Sequence, residues 1–410
     1  MLRRGILSSI RHVLEYKLTP FGRMLVLVMF VAAVGSVTVE LPIYYVFCLL
    51  SSVLFVAEVV GILMQPRLRA KVWLPPNVAA GEVLHGRLTI ENLGRWPAYD
   101  VMCAVPGLPE GIEQTEGHVM IPVLPAGKSA VLPVSFQTAS RGIYPLPPFR
   151  PHSTFPLNVM RFGKTAVDAA AITVLPAFHP LEQIRLPAAS RHQPGGVLIE
   201  GHIGSSPEYV GNREYTPGEP INRLDFRAWA RLGRPVIREY HDEYCTRIAI
   251  ILDTYQPNSW FGSKKSRADF EAAVSLTAAL ANSLQSTEAI VELFAAGPEL
   301  YVFRTTTQSI HFEKLLEILA GVESTSRNPF EELSPAVGGE LETVSTVLSV
   351  LLNWDETREE FVRMVADAGC ESKVILVRDH SPTTIPFPED GEDYQRVSPR
   401  AIQRGEVTRL

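Results

Sequence analysis

The sequence predicts a multidomain chain: a hydrophobic helical hairpin near the start, an all-β sandwich, and then an α/β domain. Three observations carry this reading. An apolar stretch runs from Met24 to Met64, and short period-two segments broken by Pro and Gly fill roughly 70–176. From Arg247 onward, continuous apolar runs alternate with amphipathic stripes. At 410 residues the chain has room for more than one core. The divisions expected are a basic segment 1–23, two transmembrane helices within 24–64, the sandwich 70–176, a connecting segment 177–246, the α/β domain 247–380 and a polar tail 381–410.

Between Met24 and Met64 the only carboxylates or basic side chains are Glu40 and Glu58. As one helix this stretch would be about 60 Å long, twice the ~30 Å hydrocarbon core of a bilayer. Two helices, Phe21–Val39 and Ile43–Met64, joined by a turn at Glu40-Leu41-Pro42, satisfy the length. A charge there meets water, and a missing N–H costs little. Glu58, within two turns of the second helix's end, is expected to snorkel. Arg3, Arg4, Arg11, Lys17 and Arg23 precede the hairpin, Arg67, Arg69 and Lys71 follow it, and the turn carries no Lys or Arg. The positive-inside rule then places both flanks, and with them the bulk of the chain, on the cytoplasmic face of the membrane. A cleaved signal peptide is a poor fit, because the apolar run continues into a second span.

In the sandwich region, Leu84, Gly86, Leu88 and Ile90 share one face of a strand while His85, Arg87, Thr89 and Glu91 share the other. Further strands are expected at Tyr99–Val105, Ala130–Phe136 and Ala169–Leu175, separated by turns such as Glu91-Asn92-Leu93-Gly94 and Pro125-Ala126-Gly127-Lys128. An immunoglobulin-like sandwich is the natural architecture, serving either as a protein-contact module or as a spacer.

Composition excludes some classes. The formal charge of −6 and pI near 6.0 argue against a nucleic-acid partner. Cys48, Cys103, Cys245 and Cys370 are widely spaced and read as small buried hydrophobes rather than a disulfide framework or zinc site. No Walker lysine loop, His-Glu-x-x-His or Gly-x-Ser-x-Gly motif occurs.

In the α/β region, Arg247–Leu252 reads as a parallel strand buried on both faces. Ser266 can cap the next helix, whose stripe is Phe270, Ala273, Val274, Thr277, Leu280, Ala281 and Leu284. Strands Ala289–Phe294 and Leu300–Phe303, a helix around Ile310–Ala320, strand Thr346–Leu352, helix Glu356–Ala368 and strand Lys373–Val377 complete a doubly wound order, whose sites sit at carboxyl strand ends. There the chain reads Asp253-Thr254-Tyr255-Gln256-Pro257 and resembles a von Willebrand A-type domain, whose metal loop is Asp-x-Ser-x-Ser. A hard dication wants a carboxylate and two hydroxyls two residues apart. Asp253 matches, whereas Tyr255 and Pro257 do not, so the loop is expected to be degenerate and to hold no metal; the strand-end Asp would instead bond its own loop.

The most distinctive stretch runs from Arg213-Glu214-Tyr215 through Gly218, Arg223, Asp225, Arg227 and Arg231 to Arg238-Glu239. With Arg141-Gly142-Ile143-Tyr144 late in the sandwich, it resembles the bacterial domain-of-unknown-function family fifty-eight; Ser153-Thr154-Phe155-Pro156-Leu157 departs from that family's Asp-Pro-Phe-Gly-Leu. The resemblance implies a membrane hairpin, a sandwich and a von Willebrand A-like half. It also implies a MoxR-type AAA ATPase as partner, with von Willebrand A or transglutaminase-like membrane proteins beside it, and no established reaction or cofactor.

Three roles are open to the signature: Arg–carboxylate pairs that lock a long connection, a docking surface for an acidic partner or phosphate, or a catalytic carboxylate site. If pairing dominates, Asp225→Ala strands buried arginines and lowers stability. The leading expectation is a non-enzymatic membrane scaffold. The alternative is a metal-dependent enzyme using Asp253, Asp225 and Glu214, or a metal-mediated ligand-binding domain at Asp253.

Overall fold

In a computed structural model, two apolar helices open the described part of the chain: α1 (Pro20–Gly35) and α2 (Ile43–Leu63). Described are all residues except 1–16, 36–42, 116–118, 188–208, 217–223, 241–245, 257–262, 286–288, 298, 305–310, 380–384 and 389–392. The expected turn at 40–42 therefore lies outside the described residues. Among them, α2 alone has the length and apolarity of a membrane span; the 16 described residues of α1 fall short of a bilayer's width, and the remainder of the expected 21–39 helix lies outside the described residues. The two helices touch through Ser51 Oγ, 3.7 Å from Met29 Sδ.

The chain divides into two units, Met1–Ala177 with Leu319–Gly321, and Phe178–Ile318 with Val322–Leu410. In the first, the helices are followed by ten strands: β1 (Leu68–Trp73), β2 (Asn77–Ala79), β3 (Val83–Asn92), β4 (Ala98–Ala104), β5 (Ile112–Gln114), β6 (Ile121–Leu124), β7 (Ser129–Thr138), β8 (Gly142–Tyr144), β9 (Arg150–Ser153) and β10 (Ile172–Leu175). They form a sheet of order β1-β3-β7-β5, a second of order β6-β4-β9, and a small third, β2-β10-β8. The alternation read in β3 holds, with Leu84, Gly86, Leu88 and Ile90 buried. They share a core with Val101 and Cys103 of β4, Val134 and Phe136 of β7, and Phe149, whose ring meets Phe136 edge-on at 5.9 Å. Asn92 is fully buried and ties its turn, its Nδ2 donating to Trp96 O (2.8 Å) and Leu124 O (3.0 Å) while Oδ1 accepts from Gly94 N (2.9 Å). The Arg-Gly-x-Tyr turn has a similar logic. Gly142 sits at φ 153°, a Cβ there would press on the Tyr144 ring at 3.0 Å, and the Tyr144 hydroxyl donates back to Ser140 O at 3.0 Å.

The apolar helices are fastened to this sandwich. Thr19 N donates to Val159 O (3.1 Å), and Arg161 N to Lys17 O (2.8 Å). At the end of α2, Gly61 lies against the Phe162 ring so closely that a Cβ would come within 2.1 Å of it. Glu58 does not snorkel alone, as expected from sequence, but pairs with Lys17.

The second unit holds β11 (Tyr209–Glu214), α3 (Phe226–Leu232) and β12 (Val236–Tyr240), then β13 (Thr246–Leu252), α4 (Ser263–Leu284), β14 (Ala289–Ala296), β15 (Leu300–Arg304), α5 (His311–Gly321), α6 (Phe330–Gly338), β16 (Thr346–Leu351), α7 (Glu356–Asp367), β17 (Glu371–Val377), β18 (Tyr394–Val397) and α8 (Pro399–Arg404). The main sheet runs β15-β14-β13-β16-β17-β18, parallel except for β15. The residues expected to line α4 are all buried, and Ala272, Leu276, Ala278 and Ala279 are buried as well. Helix α8 packs on α4 from a stretch expected to be a polar tail. That expectation is corrected: the chain beyond 380 supplies the sixth strand and a helix, and Leu410 is buried with its backbone bonded to Gln183 and Arg185. Ser266 stands inside α4, which begins at Ser263, rather than at its cap.

Candidate functional site

Asp253 follows the last residue of β13 at the carboxyl edge of the sheet and is fully buried. Its Oδ1 accepts from Tyr255 N at 3.0 Å, the loop bond expected of a strand-end Asp. Its Oδ2 accepts from Leu352 N at 3.1 Å and from Arg358 Nε at 2.7 Å. The neighbouring Thr254 hydroxyl donates to Ala296 O at the end of β14, which pins the loop across the sheet.

Arg358 comes from the first turn of α7. Asp355 caps that helix, its Oδ1 accepting from Arg358 N at 3.1 Å, and its Oδ2 pairs with Arg358 Nη1. The guanidinium carbon lies 5.4 Å from the Tyr255 ring centre and 5.1 Å from that of Phe330, so two aromatic rings flank the cation. Burial works against this charge, but the carboxylates of Asp253 and Asp355 outweigh it and hold Arg358 above the ordinary arginine range. Arg358 Nη2 is buried without a hydrogen-bond partner. The arginine is 2% exposed and Asp253 0%, so this is an interior ion pair.

A dication does not fit here. It would need Asp253's charge together with nearby oxygens, and that charge is already met by a guanidinium, with a phenol at 255 stacked on it. Pro257 lies outside the described residues. Among those described, no three His, Cys, Asp or Glu side chains gather into a metal-holding group, so Asp253, Asp225 and Glu214 do not form one. Beside the loop, Tyr255 bridges Thr325, Gln256 N donates to Thr325 O at 2.7 Å, and Ser324 Oγ donates to Gln256 Oε1 at 3.0 Å. A groove of about 380 Å³ opens there, lined by residues including Ser324, Ser326, Arg327, Asn328 and Glu332.

The signature residues fall on the β11–α3–β12 arm. Arg213, Glu214 and Tyr215 end β11 and the residue after it, and Arg213 and Glu214 pair in register with Ile237 and Val236 of β12. Asp225 caps α3, its Oδ1 accepting from Arg227 N and Ala228 N, both at 3.0 Å. Gly233 ends the helix at φ 67°, its N–H bonding Trp229 O. Among the described residues, Ala228, Val236 and Ile237 are buried beneath it. Arg238 and Glu239 lie on β12, while Gly218 and Arg223 lie outside the described residues. Arg213, Arg227 and Arg231 are exposed, and Arg234 pairs with Glu214 at the surface.

Sequence reasoning missed Arg358, Asp355 and the exposed aromatic face of α3. The available signals were Asp355 three residues before Arg358 at a helix start, and Phe226, Trp229 and Leu232 spaced along one helix face.

Residues 211–395 match the family model "Protein of unknown function DUF58". Over 199 residues the chain is 25% identical to "Uncharacterized protein YeaD" of Bacillus subtilis (strain 168), covering 46% of this chain and 45% of that protein. The chain thus spans about half the length of this relative. Among solved structures, it is similar to native Escherichia coli alpha-2-macroglobulin (22% identity, 27% of this chain, 7% of that one, TM-score 0.20). It is also similar to the CARDB domain of PF1109 from Pyrococcus furiosus (13%, 27% and 95%, TM-score 0.19). At such scores these likenesses bear on neither fold nor function.

Proposed function

With the chain belonging to the DUF58 family through residues 211–395, we propose that it is a non-enzymatic, membrane-anchored scaffold that presents an α/β domain of von Willebrand A type to a protein partner. The observation that carries this is the Arg358 guanidinium seated on Asp253: the carboxylate best placed for metal chemistry is used internally. Sheet order β15-β14-β13-β16-β17-β18, with one antiparallel edge strand and an Asp closing the first parallel strand, supports the von Willebrand A assignment. Both helices fastened to one end of the sandwich support a two-pass anchor in a bacterial inner membrane with the bulk of the chain in the cytoplasm. The partner proposed from family resemblance is a MoxR-type AAA ATPase, with von Willebrand A or transglutaminase-like membrane proteins in the same assembly.

The competing enzyme reading has no observation in its favour. Asp225 is a helix cap, Glu214 is paired with Arg234 at the surface, and Asp253 is buried and spoken for. The test is affinity capture of the full chain from detergent-solubilised membranes. Recovery of a MoxR-type ATPase is expected; its repeated absence under conditions that keep the chain folded removes that partner. Magnesium at millimolar concentration should leave the melting temperature unchanged, and a clear metal-dependent rise would sink the internal-cation account.

A further inference from the structure

Where α2 ends, three segments of the first unit meet around a cleft of about 860 Å³. Residues 62–68 carry the chain from the helix into β1, the turn between β3 and β4 supplies 93–97, and Lys164 and Thr165 close the third side. Hydrogen bonds tie these walls together: Leu93 N donates to Arg67 O at 2.8 Å, and Thr165 Oγ1 to Leu68 O at 2.7 Å. Buried Asn92 fixes the turn from beneath through its bonds to Gly94 N and Trp96 O. Two chemistries share the cleft. Arg67, Arg95 and Lys164 line it and are exposed, and no carboxylate is among the described residues that line it. Ile62, Leu63 and Trp96 line it as well, with Leu63 77% and Trp96 73% exposed.

We propose that this cleft binds the phosphate headgroup of an anionic phospholipid, holding one lipid at the joint between helix and sandwich. The inference rests on the anchor reading of α2 and gives that anchor a lipid preference. Position supplies the first argument. A helix of 21 residues spans about 31 Å, the thickness of a hydrocarbon core, so a crossing α2 delivers the residues from Gln65 onward to the headgroup layer. Tyr44 and Tyr45 stand exposed at its other end and Trp96 beside this one, the depths at which such rings settle in a membrane interface. Chemistry selects the headgroup. Phosphate oxygens accept from the arginine fork and from an ammonium, and basic pockets beside membrane helices hold anionic headgroups. A zwitterionic headgroup would bring its own ammonium in among three cations. A free phosphate ester would meet the basic residues equally well but leave Ile62, Leu63 and Trp96 in water, whereas acyl chains cover them.

The test uses the full chain in detergent micelles and native mass spectrometry, with equimolar phosphatidylglycerol and phosphatidylcholine carrying the same acyl chains. Phosphatidylglycerol should be retained about tenfold or more over phosphatidylcholine, since each basic side chain beside an anionic headgroup contributes about fivefold. Arg67→Gln, Arg95→Gln and Lys164→Gln together should erase that preference. Arg69→Gln, Lys71→Gln and Arg87→Gln together remove the same charge outside the cleft and should leave it intact. Equal losses in the two triple variants would reduce the effect to diffuse attraction and overturn the site. Arg67→Lys with Arg95→Lys should keep most of the preference, a rescue that a collapsed cleft cannot give. Glycerophosphoglycerol, the same headgroup without acyl chains, should not displace the lipid at millimolar concentration; displacement would give the cleft to a soluble phosphate ester and overturn the proposal. Equal retention of the two lipids by wild type overturns it too. Alkaline carbonate washing of membranes separates this inference from the anchor reading. A chain that stays with the membrane yet shows no lipid preference loses only the cleft, whereas a chain that washes off loses the anchor and the cleft with it.

Discussion

Asp253 is fully buried with Arg358 as its counter-charge, and the guanidinium is met on its other edge by the part-exposed Asp355. Removing Arg358 leaves a carboxylate unpaired in the interior, which typically costs about 3–5 kcal/mol, whereas replacing a buried pair with apolar groups of similar volume is often close to neutral. Arg358→Met should therefore lower stability by that order, Asp253→Leu by less because Asp355 still meets the guanidinium, and the double variant should be more stable than Arg358→Met alone. Denaturant melts of the four proteins, read as a double-mutant cycle, measure this. Additive losses would mean that the pair is not the unit described here. A second residue, His152 on β9, sets a pH dependence. Burial, with Arg161 adding to it, pulls its pKa from 6.5 to about 4, against the pull of the Arg150 carbonyl. The unfolded chain takes up the proton first, so the stability tied to neutral His152 is complete above about pH 6.5 and drains away as pH falls towards 4, by about 3 kcal/mol in all. Hydrogen exchange of peptides spanning β9 should quicken across that window in wild type, and His152→Gln should flatten the response. An unchanged slope would show that other groups govern it.

At the scale of elements, what was legible followed burial periodicity. Strands β3, β4, β7, β13, β14, β16 and β17 and helices α4, α5 and α7 were each found from their apolar spacing, because a half-buried or fully buried element writes its environment into alternate or third-and-fourth residues. Elements of three or four residues, such as β2, β5 and β8, are too short to show a period. Strand β18 and helix α8 were missed because their stretch is polar overall and its few apolar residues, Val397 and Ile402 among them, act only once the sheet and α4 are there to receive them. The site was half legible. Asp253 and the degenerate loop could be read, but the arginine that meets it lies 105 residues away in sequence, where no local pattern announces the pairing. In the signature arm, Asp225 serves α3 directly: its carboxylate accepts from two backbone N–H groups of that helix. Asp225→Ala should cost about 1 kcal/mol through loss of the cap. A protease-sensitivity or hydrogen-exchange change confined to α3 is the expected readout, and global unfolding would contradict the cap assignment.

At the scale of the whole molecule, the decisive geometry is where the two apolar helices meet the sandwich. The start of α1 is held through Thr19 and Gly22 at Val159, and the end of α2 is held through Gly61 at Phe162, three residues on. The two helix ends that are far apart in sequence therefore share one face of the sandwich, and Lys17 closes on Glu58 between them. Helix α2, with 21 residues, is about 31 Å long and matches a hydrocarbon core, while α1, with 16, reaches only about 24 Å. If α2 crosses the bilayer with its end on the sandwich side, its first residue, Ile43, lies at the opposite surface. A cysteine at Ile43, in a background with the four native cysteines replaced by alanine, should then react with an impermeant maleimide in intact cells, whereas one at Gln65 should react only after the membrane is opened. Labelling of both positions from the same side would leave α2 as no more than an interfacial or buried helix. The glycine at 61 supplies a further check on the joint: Gly61→Leu must push Phe162 away, so hydrogen exchange in 159–162 should rise while β13 to β18 remain protected.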